Sequence, residues 1–168
     1  DDTYESFNNF QGPKDTVKTF YSDCGPELRK AAKRMKWMHP TSTPGQPKRN
    51  GLIERMVRRV KAGIVSNLSQ SGLTKFWWPF AMMHFCFARN TNIVDGESAY
   101  NRRHREGHCK ALRIPFGCII EFLPTVEAKS KLRVGEAKTK LGLFLGYHTD
   151  PGEKWSGDYW VADWSTLQ

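Results

Sequence analysis

Two carboxylates occupy positions from which chemistry on a phosphate is feasible. Asp23 closes the run VKTFYS (17–22) and is followed at once by Cys24-Gly25-Pro26, a break in any regular element. Glu54 lies near the start of GLIERMVRRVK (51–61), among Lys48, Arg49, Arg55, Arg58 and Arg59. Strand ends in α/β folds present side chains to a cleft. Mg²⁺ takes oxygen ligands, commonly one or two carboxylates together with phosphate oxygens. Two such ions about 4 Å apart stabilise both the attacking and the leaving oxygen of an in-line phosphoryl transfer. A simpler reading of Glu54 stands beside this one. An acid early in a helix favours the macrodipole and pairs with Arg58 at i+4. Spacing alone leaves both open.

Three other constellations carry weaker signals. His104, His108 and Cys109 in HREGHC offer three zinc ligands, but no second half of a zinc motif accompanies them, and a solvated basic loop is the alternative. Cys24 beside Asp23 would need an activating partner to act as a nucleophile, and His39 is the local option. Phe76, Trp77, Trp78, Phe80, Phe85 and Phe87 are dense enough to stack bases, yet their crowding on one helix fits core packing better. Trp155, Tyr159, Trp160 and Trp164 lie in a strand-rich region, where an exposed ring would meet single-stranded nucleic acid or a protein partner, though core packing of a small barrel fits them somewhat better.

The elements that must position these groups follow from local pattern. Val17–Ser22 reads as a strand. Pro26 suits the first turn of a helix reaching about Trp37, with Leu28, Ala31, Ala32 and Met35 at helical spacing. HPTSTPGQP (39–47) is extended and loop-like. Asn50 is an N-cap candidate for a helix over Gly51–Gln70, which Ser71-Gly72 stops. On that helix Ile53, Val57, Val60, Ile64 and Leu68 form an apolar stripe, expected to be buried, flanked by Glu54, Arg58 and Lys61 at i, i+4 and i+7. A third, aromatic helix spans about Lys75–Thr91, and a short one Ser98–His104. The runs 114–124, 140–148 and 157–164 read as strands.

The whole chain of 168 residues carries a net charge of +9 and a pI near 9.5. The excess is local. Between Gly25 and Ala62 stand eleven Lys or Arg against two acids, Glu27 and Glu54. Such a stripe suits a polyanion, nucleic acid first, and otherwise is a solvated cationic face. The four cysteines form no CxxC pair, which favours free thiols in a reducing, intracellular compartment over a disulfide framework. FWWPFAMMHFCFA (76–88) is too short to span a membrane. Composition divides the chain into 1–93, 94–112 and 113–168.

FYSDCGPEL, TSTPGQPKRNGLIERM and LTKFWWPFAMMHFCFARN, in that order, closely resemble the integrase core of copia-type retrotransposons and, more distantly, retroviral integrases. IPFGCIIEFLP and KTKLGLFLGYH resemble segments that follow that core. The resemblance runs from about Val17 to Tyr147. It implies an α/β fold: the C-terminal part of an RNase H-like core, truncated here, then a small β-rich, SH3-like barrel module. Asp23 matches the second carboxylate of the family's Asp-Asp-Glu metal-binding set and Glu54 the Glu. Asn50 and Gly51 match the turn before the Glu helix. Lys48, Arg49, Asn50, Arg55, Arg58 and Lys61 are the expected DNA contacts. The reaction implied is Mg²⁺- or Mn²⁺-dependent trimming of a DNA 3′ end and its joining to target DNA, by a self-associating protein, with the nucleus as the site of the substrate. The sequence departs from the family in three ways. The spacing from Asp23 to Glu54 is short, Cys24 replaces a usual Asn, and the first Asp is missing: Asp1 and Asp2 lie only 22 and 21 residues before Asp23. The expectation is therefore that this chain alone does not perform strand transfer. A non-catalytic nucleic-acid-binding remnant and a protein-interaction module built on the C-terminal strands are the alternatives.

Overall fold

The computed structural model describes residues 2–23, 25–42, 51–124 and 138–167. The chain is mixed α/β. Five α-helices are described: α1 (Asp2–Gln11), α2 (Pro26–Arg34), α3 (Gly51–Ser71), α4 (Trp78–Thr91) and α5 (Ala99–His104). Three strands follow: β1 (Ile119–Phe122), β2 (Lys140–Asp150) and β3 (Lys154–Asp163). Two compact units result, one of residues 1–59 with 149–156, the other of 60–148 with 157–168.

The first unit is pinned by aromatic rings. Phe7 stacks on Trp37 with centroids 5.0 Å apart and meets Phe20 edge-on at 4.8 Å. The Trp37 indole N–H donates to Gln11 Oε1 (3.0 Å), and the Arg34 guanidinium lies 3.8 Å above the Tyr4 ring. These contacts hold α1 against α2, whose Ala31 and Ala32 are fully buried. α2 begins at Pro26, with Glu27 in its first turn and Lys33 and Arg34 in its last, matching the helix dipole. It ends before the expected Trp37 because Lys36 turns left-handed (φ 59°), bringing the Trp37 N–H onto Ala32 O. VKTFYS is extended, but among the described residues it makes only two isolated parallel bridges, Thr19 with Met38 and Ser22 with Thr41. Gly12 (φ +66°) packs so close to Gly152 that a Cβ there would strike the Pro151-Gly152 backbone.

The second unit packs helix on sheet. Ala81 of α4 meets Phe116, Leu143 and Leu145, with Ile64, Leu68, Leu73, Trp77, Phe80 and Ala162 around them. The sheet runs in the order β1-β2-β3, and β1 pairs antiparallel with β2 from Ile119–Leu143 to Phe122–Lys140. The central strand β2 is buried continuously from Gly142 to Tyr147, as an apolar run covered on both faces must be. The expected first strand begins later than Ile114, because Gly117 (φ +75°) forms a turn ahead of it. α4 is preceded by a 3₁₀ turn at Lys75–Trp77. Ser98 caps α5, its hydroxyl accepting the Asn101 N–H. At the crossing of α3 and α4, Gly63 lies under the Phe85 ring with no room for a side chain.

Candidate nucleic-acid interface

Asp23 stands exposed where the extended 17–22 segment ends. Its side chain accepts the Gly25 N–H at 3.4 Å, a local turn of the kind that Asp favours. The preceding Ser22 is tied more firmly. Its hydroxyl donates to Asp23 O (2.9 Å), so the 2.7 Å contact with His39 Nε2 places the proton on that nitrogen. His39 Nδ1 is buried and has no partner among the described residues. His39 therefore braces the strand end from the neighbouring 38–42 segment and stacks on Phe20, 5.2 Å between centroids. This brace was not readable in the sequence, where His39 stood only as a possible activator of Cys24. Cys24 itself lies outside the described residues.

Glu54 sits exposed in the first turn of α3. Arg55, Arg58, Arg59 and Lys61 are exposed along the same helix. Lys48, Arg49 and Asn50, the other expected contacts, lie outside the described residues, as does the proposed N-cap. The apolar stripe needs correcting. Ile64 and Leu68 pack into the core as expected, but Ile53 is 56% exposed and Val57 46% exposed, with Leu52 and Met56 also open to solvent. Helical periodicity identifies the apolar face correctly. It does not show that the protein cover along this face ends near Val60.

Asp23 and Glu54 do not by themselves make a metal site. Among the described residues no three His, Cys, Asp or Glu side chains converge in a way that could hold an ion. The zinc reading fails on the same ground. His108 Nδ1 instead contacts the buried Ser98 hydroxyl at 3.0 Å, and His104 packs on the Tyr100 ring. None of Cys86, Cys109 and Cys118 is in a disulfide.

The aromatic helix is mixed. Phe80 and Trp77 join the core, and Phe87 stacks on Tyr147 at 4.1 Å, while Phe76 and Trp78 are exposed. In β3 and beyond it, Trp160 and Trp164 are partly open, and Trp160 packs on His148 and Phe80. Sequence reasoning passed over His84, the centre of the second unit's polar network. It is buried, its Nε2–H donates to Ile114 O (3.0 Å), and its Nδ1 accepts from the Asn67 amide (3.3 Å). Burial holds its pKa below the usual histidine value, the bond to Ile114 opposing this. A lone His inside an apolar helical run was the available signal, since a buried polar ring must find hydrogen bonds. No helix among the described residues is long and apolar enough to cross a membrane.

No family model matches the chain. It is similar to two curated proteins of Arabidopsis thaliana, the retrovirus-related Pol polyproteins from transposons RE1 and RE2, at 29% and 28% identity over 138 residues. The matched stretch covers 78% of this chain and 9% of each relative, so the chain spans about a tenth of the length of the curated relatives it matches. These similarities support an origin in a retrotransposon Pol polyprotein.

Proposed function

We propose that this chain is part of the integrase region of a retrotransposon Pol polyprotein, contributing to DNA integration through nucleic-acid binding. The observation that carries the reading is the exposed, basic first half of α3, with Glu54 in its first turn and Arg55, Arg58 and Lys61 pointing to solvent. In this reading residues 1–93 are a portion of an RNase H-like core, 94–112 connect, and the strands of 113–168 belong to a small SH3-like module. Asp23 and Glu54 are two carboxylate ligands of Mg²⁺ or Mn²⁺, whose chemistry is to polarise a phosphodiester and activate the attacking oxygen. The third ligand that the resemblance implies is not identifiable in this sequence. The basic residues of α3, with Lys48, Arg49 and Asn50, hold DNA ends and target DNA, and the protein acts as a homo-oligomer. The exposed Leu52, Ile53, Met56 and Val57 fit a face that further chain covers in the intact protein.

A second reading, a nucleic-acid-binding remnant without the chemistry, is favoured by the lack of a converging set of three ligands among the described residues. Both readings require phosphate contacts. The test is duplex-DNA affinity against salt. The logarithm of the affinity should fall steeply with the logarithm of the salt concentration, and each of Arg55→Ala, Arg58→Ala and Lys61→Ala should lower that slope by about 1. Binding indifferent to salt removes both readings and favours the protein-interaction alternative.

A further inference from the structure

We propose that the cavity between α3, α4, the 109–116 segment and β2 binds a nucleotide, taken either free or as an unpaired residue of a strand. The cavity is about 290 Å³, close to the lower limit of small-ligand sites, and all its lining residues belong to the second unit. Its inner wall is aromatic: Phe87 stacks on Tyr147, and Phe116 lies beside His84. A flat apolar body suits such a wall. Arg113 is the permanent charge on the lining, and no carboxylate is among the lining residues, so the charge favours an anion. One Arg113 nitrogen contacts Asn92 Oδ1 at 3.3 Å, and the other guanidinium N–H groups are left for a phosphate.

The polar groups of the cavity sort into those already used and those on offer. His84 is satisfied on both nitrogens. The Tyr147 hydroxyl donates to Leu112 O (2.7 Å) and accepts the Ile114 N–H (3.2 Å). Asn67 spends its amide N–H groups on Ala81 O and His84 Nδ1. Its carbonyl oxygen has no partner among the described residues, nor does either end of the Gln70 amide. An unpaired acceptor beside a side-chain amide suits a base edge that carries an exocyclic amine, as adenine and cytosine do. Base face, base edge and phosphate are thus each met by a different group, and none of these groups is Asp23 or Glu54. The inference therefore stands or falls apart from the proposed metal chemistry.

Cys109 lines the cavity and reports on it. The full chain is treated with N-ethylmaleimide, and modification of Cys109 is followed by peptide mass spectrometry, with Cys86 and Cys118 as internal references. At 2′-deoxyadenosine or 2′-deoxycytidine 5′-phosphate ten times above its Kd, the Cys109 rate should fall about tenfold, by mass action. Arg113→Ala, an exposed position, should abolish this protection, and the nucleosides without phosphate should protect at least about tenfold less well. A parallel arm uses a short single-stranded oligonucleotide. Protection by the oligonucleotide alone assigns the cavity to a strand residue, and protection by the mononucleotide assigns it to a free nucleotide. Failure of both at millimolar concentration, equal slowing at all three thiols, or protection unchanged in Arg113→Ala overturns the proposal.

Discussion

His84 shows how one residue couples packing to pH. Its ring is buried with Nδ1 facing the Asn67 N–H, so a second ring proton would oppose a donor. Burial disfavours the charged ring and lowers the folded-state pKa below the unfolded value of 6.5, the bond to Ile114 O opposing this. The unfolded chain then binds more protons than the folded one below that value, and stability falls with falling pH. The contribution of His84 is complete above pH 6.5 and is lost as pH drops toward the folded pKa. Thermal melts between pH 8 and pH 5 should show this loss, and His84→Gln should flatten that part of the curve at the cost of lower stability throughout. Tyr147→Phe tests the same network without titration. It leaves the Ile114 N–H unpaired and should cost about 1–3 kcal/mol by denaturant unfolding.

α3 changes character along its length. In its second half Ile64 and Leu68 pack against the core, and Gly63 admits the Phe85 ring. Gly63→Ala should be destabilising by about 1–3 kcal/mol despite better helix propensity, because the new methyl meets that ring. Before Val60 the helix is exposed, so Ile53→Lys and Val57→Lys should change the stability of this chain by less than about 0.5 kcal/mol. A denaturation midpoint shift larger than that would mean a cover that the described residues do not provide. The sequence placed α2, α3, α4 and α5 within a few residues, because Pro26, Ser98 and the 3.6-residue periodicity are local signals. It overstated VKTFYS and the start of β1, because strand formation depends on partners distant in the chain. It could not show the cavity, whose lining is drawn from positions between Asn67 and Tyr147.

At the scale of the molecule, the eleven Lys or Arg against two acids between Gly25 and Ala62 and the similarity to retrotransposon Pol polyproteins support the proposed work on DNA. The carboxylates were legible from their flanking turns. That they lack a third converging partner among the described residues is a property of three-dimensional placement, which spacing along the chain cannot give. Strand transfer is the function in question, and Glu54 is its most specific commitment. The decisive measurement is joining of a labelled DNA end to a target plasmid with Mg²⁺ or Mn²⁺. It would compare this chain alone with a longer segment of the Pol polyprotein that contains it, each with Glu54 and with Glu54→Gln. The account predicts no joining by the chain alone, joining by the longer segment, and its loss in Glu54→Gln. Joining by the chain alone, or joining by the longer segment that is indifferent to Glu54→Gln, would contradict it.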